Sequence, residues 1–289
     1  IVAITAFNGY NQEDAIIINR KSLDMGLFNS SAFEIYYDFE TNEQTTNQKE
    51  MFYNPMQTQA DDDLNAITIK RELNYQKLDN YGFVKEGSYL EKGDVLIGKY
   101  MKYVSDKGRE EHKDISTEVK SDYTGSLVDK VYCFSRDESQ MKVAKIRTCQ
   151  LRIPQMGDKL ANRSAQKGII GMVMDPEDMP MTKDGIVPDL VTNPYGYVSR
   201  MTVGGLKEFL FGKLAANMGI FGLASPFEPV NMSDIGQSLQ DDCGLSSTGN
   251  QVLYEGTTGR MMDSQIYVGV GYYQRLKQMV QDKMNSRSE

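Results

Sequence analysis

The sequence predicts a mainly β protein with some helix, an α+β fold. Three observations point there. Long stretches alternate apolar and polar residues, as in "SSAFEIYYDFE", "GSLVDKVYCF" and "MKVAKIRTCQLRI", the period of half-buried strands. Short apolar runs recur between glycines in "YGFVKEGSYLEKGDVLIGKYM", the pattern of a small barrel or sandwich. Helical spacing takes over only past Pro180.

The opening "IVAITAF" reads as a buried strand already under way, so the chain is expected to begin inside a larger protein. "AIIINR" after Asp14 is a short apolar strand, and "SSAFEIYYDFE" is the next. Residues 41 to 65, rich in Asn, Gln, Thr and Asp, carry no periodicity and are expected to form a mobile surface loop. "GSLVDKVYCF" and "MKVAKIRTCQLRI" are expected to pair as a hairpin around "SRDESQ". In "MTVGGLKEFLFGKLAAN", Val203, Leu206, Leu210 and Leu214 fall at helical spacing, and Gly219 is a plausible stop. "MSDIGQSLQDDCG" and "YYQRLKQMVQDKM" predict two further helices. There are no internal repeats.

Composition narrows the function classes. A chain of 289 residues, 40% hydrophobic and 25% charged, can bury a core and is not disordered as a whole. No apolar run approaches the roughly 20 residues of a membrane helix, and the first residues lack a signal-peptide pattern. Cys133, Cys149 and Cys243 are widely spaced with no CxxC. That argues against a disulfide framework or a zinc site and fits a reducing intracellular compartment. The single His112 sits in the charged run "KGREEHKD", which argues against a histidine triad or a histidine-ligated metal. The methionines read as core gap-fillers.

A formal charge of -8 and an isoelectric point near 4.9 count against nucleic acid, but the charge is unevenly placed. Lys142, Lys145, Arg147, Arg152, Lys159, Arg163 and Lys167 face only Asp158 across residues 142 to 167. Phosphate contact follows the local field rather than the net charge. Within that stripe, "IPQMGDKLANRSAQKGIIG" sets Lys159 and Lys167 among glycines at 157, 168 and 171. As one straight strand the two lysines would lie roughly 26 Å apart. Folded back through a turn, both ammonium groups can meet on one anion. The plain alternative is a solvated loop.

Other candidates are few. "GYNQEDA" sets Glu13 beside Asp14; adjacent strand residues face opposite ways, so both reach one metal only at a turn or bulge. Gly9 and Asn11 make a turn plausible, and caps or solvated acids are the plain alternative. "DDD" at 61 to 63 lies in the featureless stretch and is discounted. No Walker-type GxxxxGK[ST] is present. "VSRMT" puts Arg200 just before a helix, where it and the helix amides can clamp phosphate.

Together, "GYNQEDA", "PQMGDKLANRSAQKG", "DMPMTKDGIVPDLVTNP", "SRMTVG" and "YYQRLKQMVQDKMNSR" resemble, in order and spacing, the second-largest subunit of multisubunit DNA-directed RNA polymerases, the counterpart of the bacterial β subunit. The resemblance covers essentially the whole chain and is weakest between about 40 and 125. Gln12 before the acidic pair and "GIVPDL" look more like the eukaryotic, archaeal and large-DNA-virus subunits than the bacterial one.

The resemblance implies roles. Lys159, of the GDK motif, and Lys167 approach the RNA 3′ end and the reactive phosphate. Arg200, of the SRM motif, contacts the incoming triphosphate, making these three the catalytic and nucleotide-binding candidates. Glu13 and Asp14 match the acidic pair near a second, nucleotide-borne Mg²⁺. Arg152, Arg163, Gln166, Lys283 and Arg287 are candidate nucleic-acid contacts, the last two on a switch-like helix from about Tyr272 to Arg287. The implied fold is a hybrid-binding region in two parts, 1–29 and 152–289. It contributes to a double-psi β-barrel with packed helices and is interrupted by a β-rich flap or wall insertion at 30–151.

The implied partners are the largest subunit, whose DxDGD triplet holds the main Mg²⁺, the other polymerase subunits, the DNA template, the RNA–DNA hybrid and the nucleoside triphosphate. No zinc, membrane or stand-alone catalysis is expected. The location is intracellular: the nucleus for a cellular eukaryote, the cytoplasm or virion for a large DNA virus. Two departures stand out. Ser164 and Ala165 replace the family's usual His-Gly, which restricts the loop before Lys167, and Val198 replaces a proline. Two rival readings are a non-catalytic nucleic-acid- or partner-binding module on the same barrel and, more weakly, a metal hydrolase using Glu13 and Asp14. Retention of all five charged residues argues against the module, because gripping a backbone needs only scattered positive charge.

Overall fold

The computed structural model describes residues 1–43, 48–56, 70, 72–104, 110–119, 125–135, 141–227 and 229–284. The chain divides into two compact units, one made of Ile1–Asn29 with Ile153–Glu289 and the other of Ser30–Arg152. The first unit combines strands with helices and the described elements of the second are all strands, so the chain as a whole is an α+β arrangement.

In chain order the first unit begins with β1 (Val2–Ile4), β2 (Ala15–Asn19) and a short helix α1 (Arg20–Asp24). The second unit follows, with β3 (Ser30–Phe39), β4 (Thr41–Glu43), β5 (Gln48–Phe52), β6 (Val95–Ile97), β7 (Lys99–Val104), β8 (Glu110–Asp114), β9 (Thr117–Glu118), β10 (Leu127–Ser135) and β11 (Lys142–Arg152). The first unit resumes with β12 (Lys159–Asn162), β13 (Lys167–Met174), β14 (Met181–Thr182), β15 (Leu190–Thr192) and α2 (Pro194–Ser199). It ends with α3 (Val203–Met218), α4 (Met232–Asp241), β16 (Asn250–Gln251), β17 (Leu253–Tyr254), β18 (Ile266–Gly269) and β19 (Tyr273–Arg275).

The second unit forms the expected hairpin. β10 pairs antiparallel with β11, which pairs with β3 from Val143↔Phe39 to Arg152↔Ser30. Their inward residues Tyr36, Val128, Ala144 and Ile146 join Leu90, Val95, Leu96 and Ile97 in one core. The expectation of a loop over residues 41 to 65 is corrected in part: β4 and β5 pair with each other, and β5 pairs with β7. Local sequence misses these strands because they are polar and their order comes from long-range pairing. Residues 57 to 65, including the acidic run at 61 to 63, lie outside the described residues.

The first unit is built on an eight-stranded mixed sheet in the order β16-β18-β1-β15-β2-β13-β12-β19. Its central strands are buried on both faces, so "AIIIN" reads as a continuous apolar run rather than an alternating one. Ile16 and Ile18 face one core with Leu160, Ile170, Tyr197, Phe209 and Tyr273. Ile17 faces the other with Val191, Met179, Leu253 and Val268. The helix α3 supplies Phe209 to the first core and packs Leu210 and Leu214 against Ile235 and Leu239 of α4. As expected, it stops at Gly219, whose φ of 68° needs no Cβ.

The expected helix over Tyr272 to Arg287 is corrected. Its described part is strand β19 followed by a 3₁₀ turn at Val280–Lys283. Tyr273 is 9% exposed, and β19 pairs with β12 at Leu160↔Arg275. Sheet pairing and burial of these residues override the helical period.

One buried cation ties α3 to the sheet. The Lys213 ammonium donates to the carbonyls of Gly249 (3.0 Å) and Val268 (2.9 Å), and burial lowers its pKa from 10.5 to about 8. Between those values the unfolded chain holds a proton that the folded chain has released, so this group adds stability as pH rises through the window. Urea unfolding at pH 8 and pH 10 should show wild type gaining ~1–3 kcal/mol relative to Lys213→Met. Equal pH dependence in the two proteins contradicts this.

Candidate functional site

The two lysines share one face of the β12–β13 hairpin. Lys159 pairs with Ile169 and Ala161 with Lys167, so the lysines are diagonal neighbours, roughly 7–8 Å apart in such a register with their Cβ atoms somewhat closer. Leu160, Gly168 and Ile170 point into the sheet instead. The turn between the strands is closed by Asn162, whose side-chain oxygen accepts from the backbone N–H groups of Ser164 and Gln166, both at 3.0 Å. Ala165 takes a left-handed φ of 59°. An alanine in this left-handed conformation carries a steric cost that a glycine would not.

The acidic pair lies beside this hairpin. β2 runs parallel to β13 with Ala15 opposite Ile169, and the Asp14 carbonyl accepts from Ile169 N–H at 3.0 Å. A Cβ on Gly168 would lie 2.5 Å from that carbonyl oxygen, so only glycine lets the strands approach. Glu13 turns the chain with a φ of 54°. Asp14 and Lys167 line one shallow cleft together with Glu13, Gln166, Asn193 and Tyr197.

Arg200 reaches the same cleft from the junction of two helices. It is the C-terminal cap of α2, two residues before Thr202, the N-cap of α3. Its guanidinium grips Asp14 with both nitrogens, Nη1 to Oδ1 at 2.6 Å and Nη2 to Oδ2 at 2.8 Å. Both Asp14 oxygens are thus taken, and among the described residues no three His, Cys, Asp or Glu side chains converge.

Gln166 is turned inward. It is 9% exposed, accepts from Arg200 Nη1 at 3.3 Å and donates to Gly196 O at 3.3 Å and to Thr202 Oγ1. Arg163 is held with its guanidinium 4.8 Å from the Tyr272 ring centroid. Arg152 belongs to the other unit and is 9% exposed, which removes its guanidinium from open contact. Lys283 lies near Gln278 at 3.5 Å, and Arg287 lies outside the described residues.

Sequence reading missed the support beneath Lys159. Asp158 is 1% exposed and accepts from Arg275 at 2.7 Å and from the backbone N–H groups of Gln155 (3.0 Å) and Val280 (2.9 Å). The signal was available: Asp158 is the lone acid of a basic stretch. Lys159 donates to Gln278 Oε1 at 2.9 Å, so the segment held by Asp158 also orients the lysine.

The profile of the family described as RNA polymerase Rpb2, domain 6, matches residues 1–289. The chain belongs to this family. It is 40% identical to the RNA polymerase II subunit RPB2 of Encephalitozoon cuniculi, over 100% of this chain and 25% of that protein. It is 36% identical to RNA polymerase subunit 2 of Acanthamoeba polyphaga mimivirus and 35% identical to subunit Rpo2 of Saccharolobus solfataricus. Each of those matches covers 100% of this chain, and 23% and 25% of the relative. The chain therefore spans about a quarter of the length of these curated relatives. These are all second-subunit polymerase proteins, the family that the five motifs resemble. No described helix is long and apolar enough to cross a membrane.

The strained turn supplies a test. Ala165→Gly relieves the left-handed strain and loses part of that gain to unfolded-chain entropy, so urea unfolding should show ~0.5–1 kcal/mol of stabilisation. A loss of stability in this variant would argue that Ala165 packs rather than strains.

Proposed function

We propose that this chain is the hybrid-binding region of the second-largest subunit of a DNA-directed RNA polymerase, interrupted by its flap or wall insertion, and that its barrel is of the double-psi kind. In this reading it binds the RNA–DNA hybrid, the RNA 3′ end and the incoming nucleoside triphosphate during template-directed nucleotidyl transfer. The observation that carries the reading is the convergence of Lys159 and Lys167 on one face of one hairpin, with Arg200 reaching the cleft that Lys167 lines. Three cations beside one opening suit a polyanion whose charge shifts during reaction.

The chemistry asked of these residues is electrostatic. Lys159 and Lys167 hold positive charge where negative charge builds on the transferring phosphate, without having to reorganise. Neither lysine is paired with a carboxylate among the described residues, so their charge remains available. Arg200 supplies a planar fork suited to two phosphate oxygens. Mg²⁺ in this reading is held by the assembled enzyme, with its main ligands on the DxDGD-bearing largest subunit and Glu13 and Asp14 nearby. The isolated chain is then inactive, and its location is that of its polymerase: nuclear in a eukaryotic cell, cytoplasmic or in the virion for a large DNA virus.

Single-nucleotide extension by an assembled polymerase carrying the full subunit tests the assignment. Lys159→Ala should slow addition at least tenfold, a typical cost of losing one preorganised charge at such a transition state. Arg200→Ala should raise the apparent KM for nucleoside triphosphates more than it weakens scaffold binding, and Arg200→Lys should recover part of the loss. An unchanged rate in Lys159→Ala refutes the lysine's role. Equal losses of scaffold and nucleotide affinity in Arg200→Ala point to backbone gripping instead.

A further inference from the structure

We infer that Gln166 is a positioning residue for Arg200: it aims the guanidinium into the cleft and sets triphosphate affinity without touching nucleic acid itself. This rests on the reading of Arg200 as a triphosphate contact and replaces the expectation that Gln166 meets nucleic acid directly.

The geometry is specific. The Gln166 amide has one acceptor and two donors, and one orientation uses them all. Oε1 accepts from Arg200 Nη1 at 3.3 Å, while Nε2 donates to Gly196 O at 3.3 Å and to Thr202 Oγ1. Turning the amide over sets donors against Arg200 and an acceptor against the Gly196 carbonyl. The backbone is fixed as well, with Gln166 N–H on Asn162 Oδ1 at 3.0 Å and Gln166 O accepting from Asn162 N–H at 3.2 Å. Gln166 thus links the lysine hairpin to the α2–α3 junction that carries Arg200.

Asp14 alone cannot do this. Asp14 and Arg200 are 41% and 46% exposed, and an arriving polyanion competes for the same guanidinium. When Nη1 and Nη2 leave Asp14, the 3.3 Å contact to the buried Gln166 remains to restrict the arginine's rotamers. Arginine carries several rotatable bonds, and holding it before the ligand arrives reduces the ordering cost of binding. Thr202 completes the support. Its side chain makes no capping hydrogen bond to α3, so its hydroxyl is available to fix the Gln166 amide.

The test uses the assembled polymerase with the full subunit, and nucleoside triphosphate and an RNA–DNA scaffold as probes. Gln166→Met keeps length and loses all three hydrogen bonds. It should raise the apparent KM for nucleotide about five- to tenfold, leave kcat within about twofold, and leave scaffold affinity unchanged. In an Arg200→Ala background the same substitution should add less than about twofold, because it acts through the arginine. Thr202→Val should reproduce part of the KM effect and Thr202→Ser should restore it, which keeps the inference testable if Gln166→Met unfolds the site. A full additive defect in the Arg200→Ala background, a KM unchanged in Gln166→Met, or a matching loss of scaffold affinity overturns the inference. An unchanged KM in Arg200→Ala itself overturns the underlying reading instead.

Discussion

The first unit's functional edge depends on one buried carboxylate. Asp158 and Arg275 pair at 2.7 Å with side chains 2% and 7% exposed. Asp158 also takes two backbone N–H groups, from Gln155 and Val280, and Arg275 donates to the Phe28 carbonyl at 3.2 Å. Burying two charges is costly, and their attraction offsets that cost only when the remaining donors and acceptors are satisfied. Here one carboxylate binds its own turn, the end of β19 and the chain beyond it. Loss of either partner strands a buried charge, an effect of about 3–5 kcal/mol in general. Glycine belongs to the same arrangement: a Cβ on Gly157 would meet Val280 Cγ2 at 2.8 Å. In the "GDK" run, then, glycine admits the returning segment, aspartate ties it down, and only lysine faces outward.

That tether explains what the sequence revealed and what it hid. The helix α3 was legible from its spaced leucines and the stop at Gly219, α4 from its own apolar period, and the strands β2, β3, β10 and β11 because apolar patterning is a property of the segment itself. The segment beginning at Tyr272 has a helical period too, yet it is a strand and a 3₁₀ turn, because Asp158 and β12 are more than a hundred residues away in sequence. β4 and β5 were missed for a related reason, since these polar strands gain their order from pairing, β4 with β5 and β5 with β7, rather than from their own residues. At the site, the lysines and glycines were visible as a pattern. The grip of Arg200 on Asp14 spans 186 residues and has no local signature, so without the family resemblance neither residue selects the other. Gln166 was legible only as a polar residue in a basic stretch; its inward turn is a tertiary fact.

The hairpin turn shows how a backbone constraint can hold a residue that does not favour it. Ala165 takes a positive φ, because the Asn162 side chain and the Gln166 backbone close the turn from both sides. The hairpin register is set by that closure and by the Gly168 contact with Asp14. A strained alanine is therefore tolerated without moving Lys167 off the face it shares with Lys159.

Charge then decides how the site can work. This chain is acidic, with a formal charge of -8, so its own net field does not attract a polyanion, which must be held by local cations. The outward cations are treated differently from one another. Lys159 is steadied by an amide, which orients the ammonium without neutralising it. Arg200 is neutralised by Asp14 in a half-exposed pair, the kind that water and salt screen strongly and that holds only weakly. An anion that reached Arg200 would have to exchange with Asp14, whereas one that reached Lys159 or Lys167 would displace no carboxylate among the described residues. Such an exchange favours a ligand that presents several anionic oxygens to the planar fork at once, because two oxygens replace both hydrogen bonds that the fork gives up with Asp14. Under the triphosphate role proposed for Arg200, the Asp14 contact favours a polyphosphate over a lone phosphodiester.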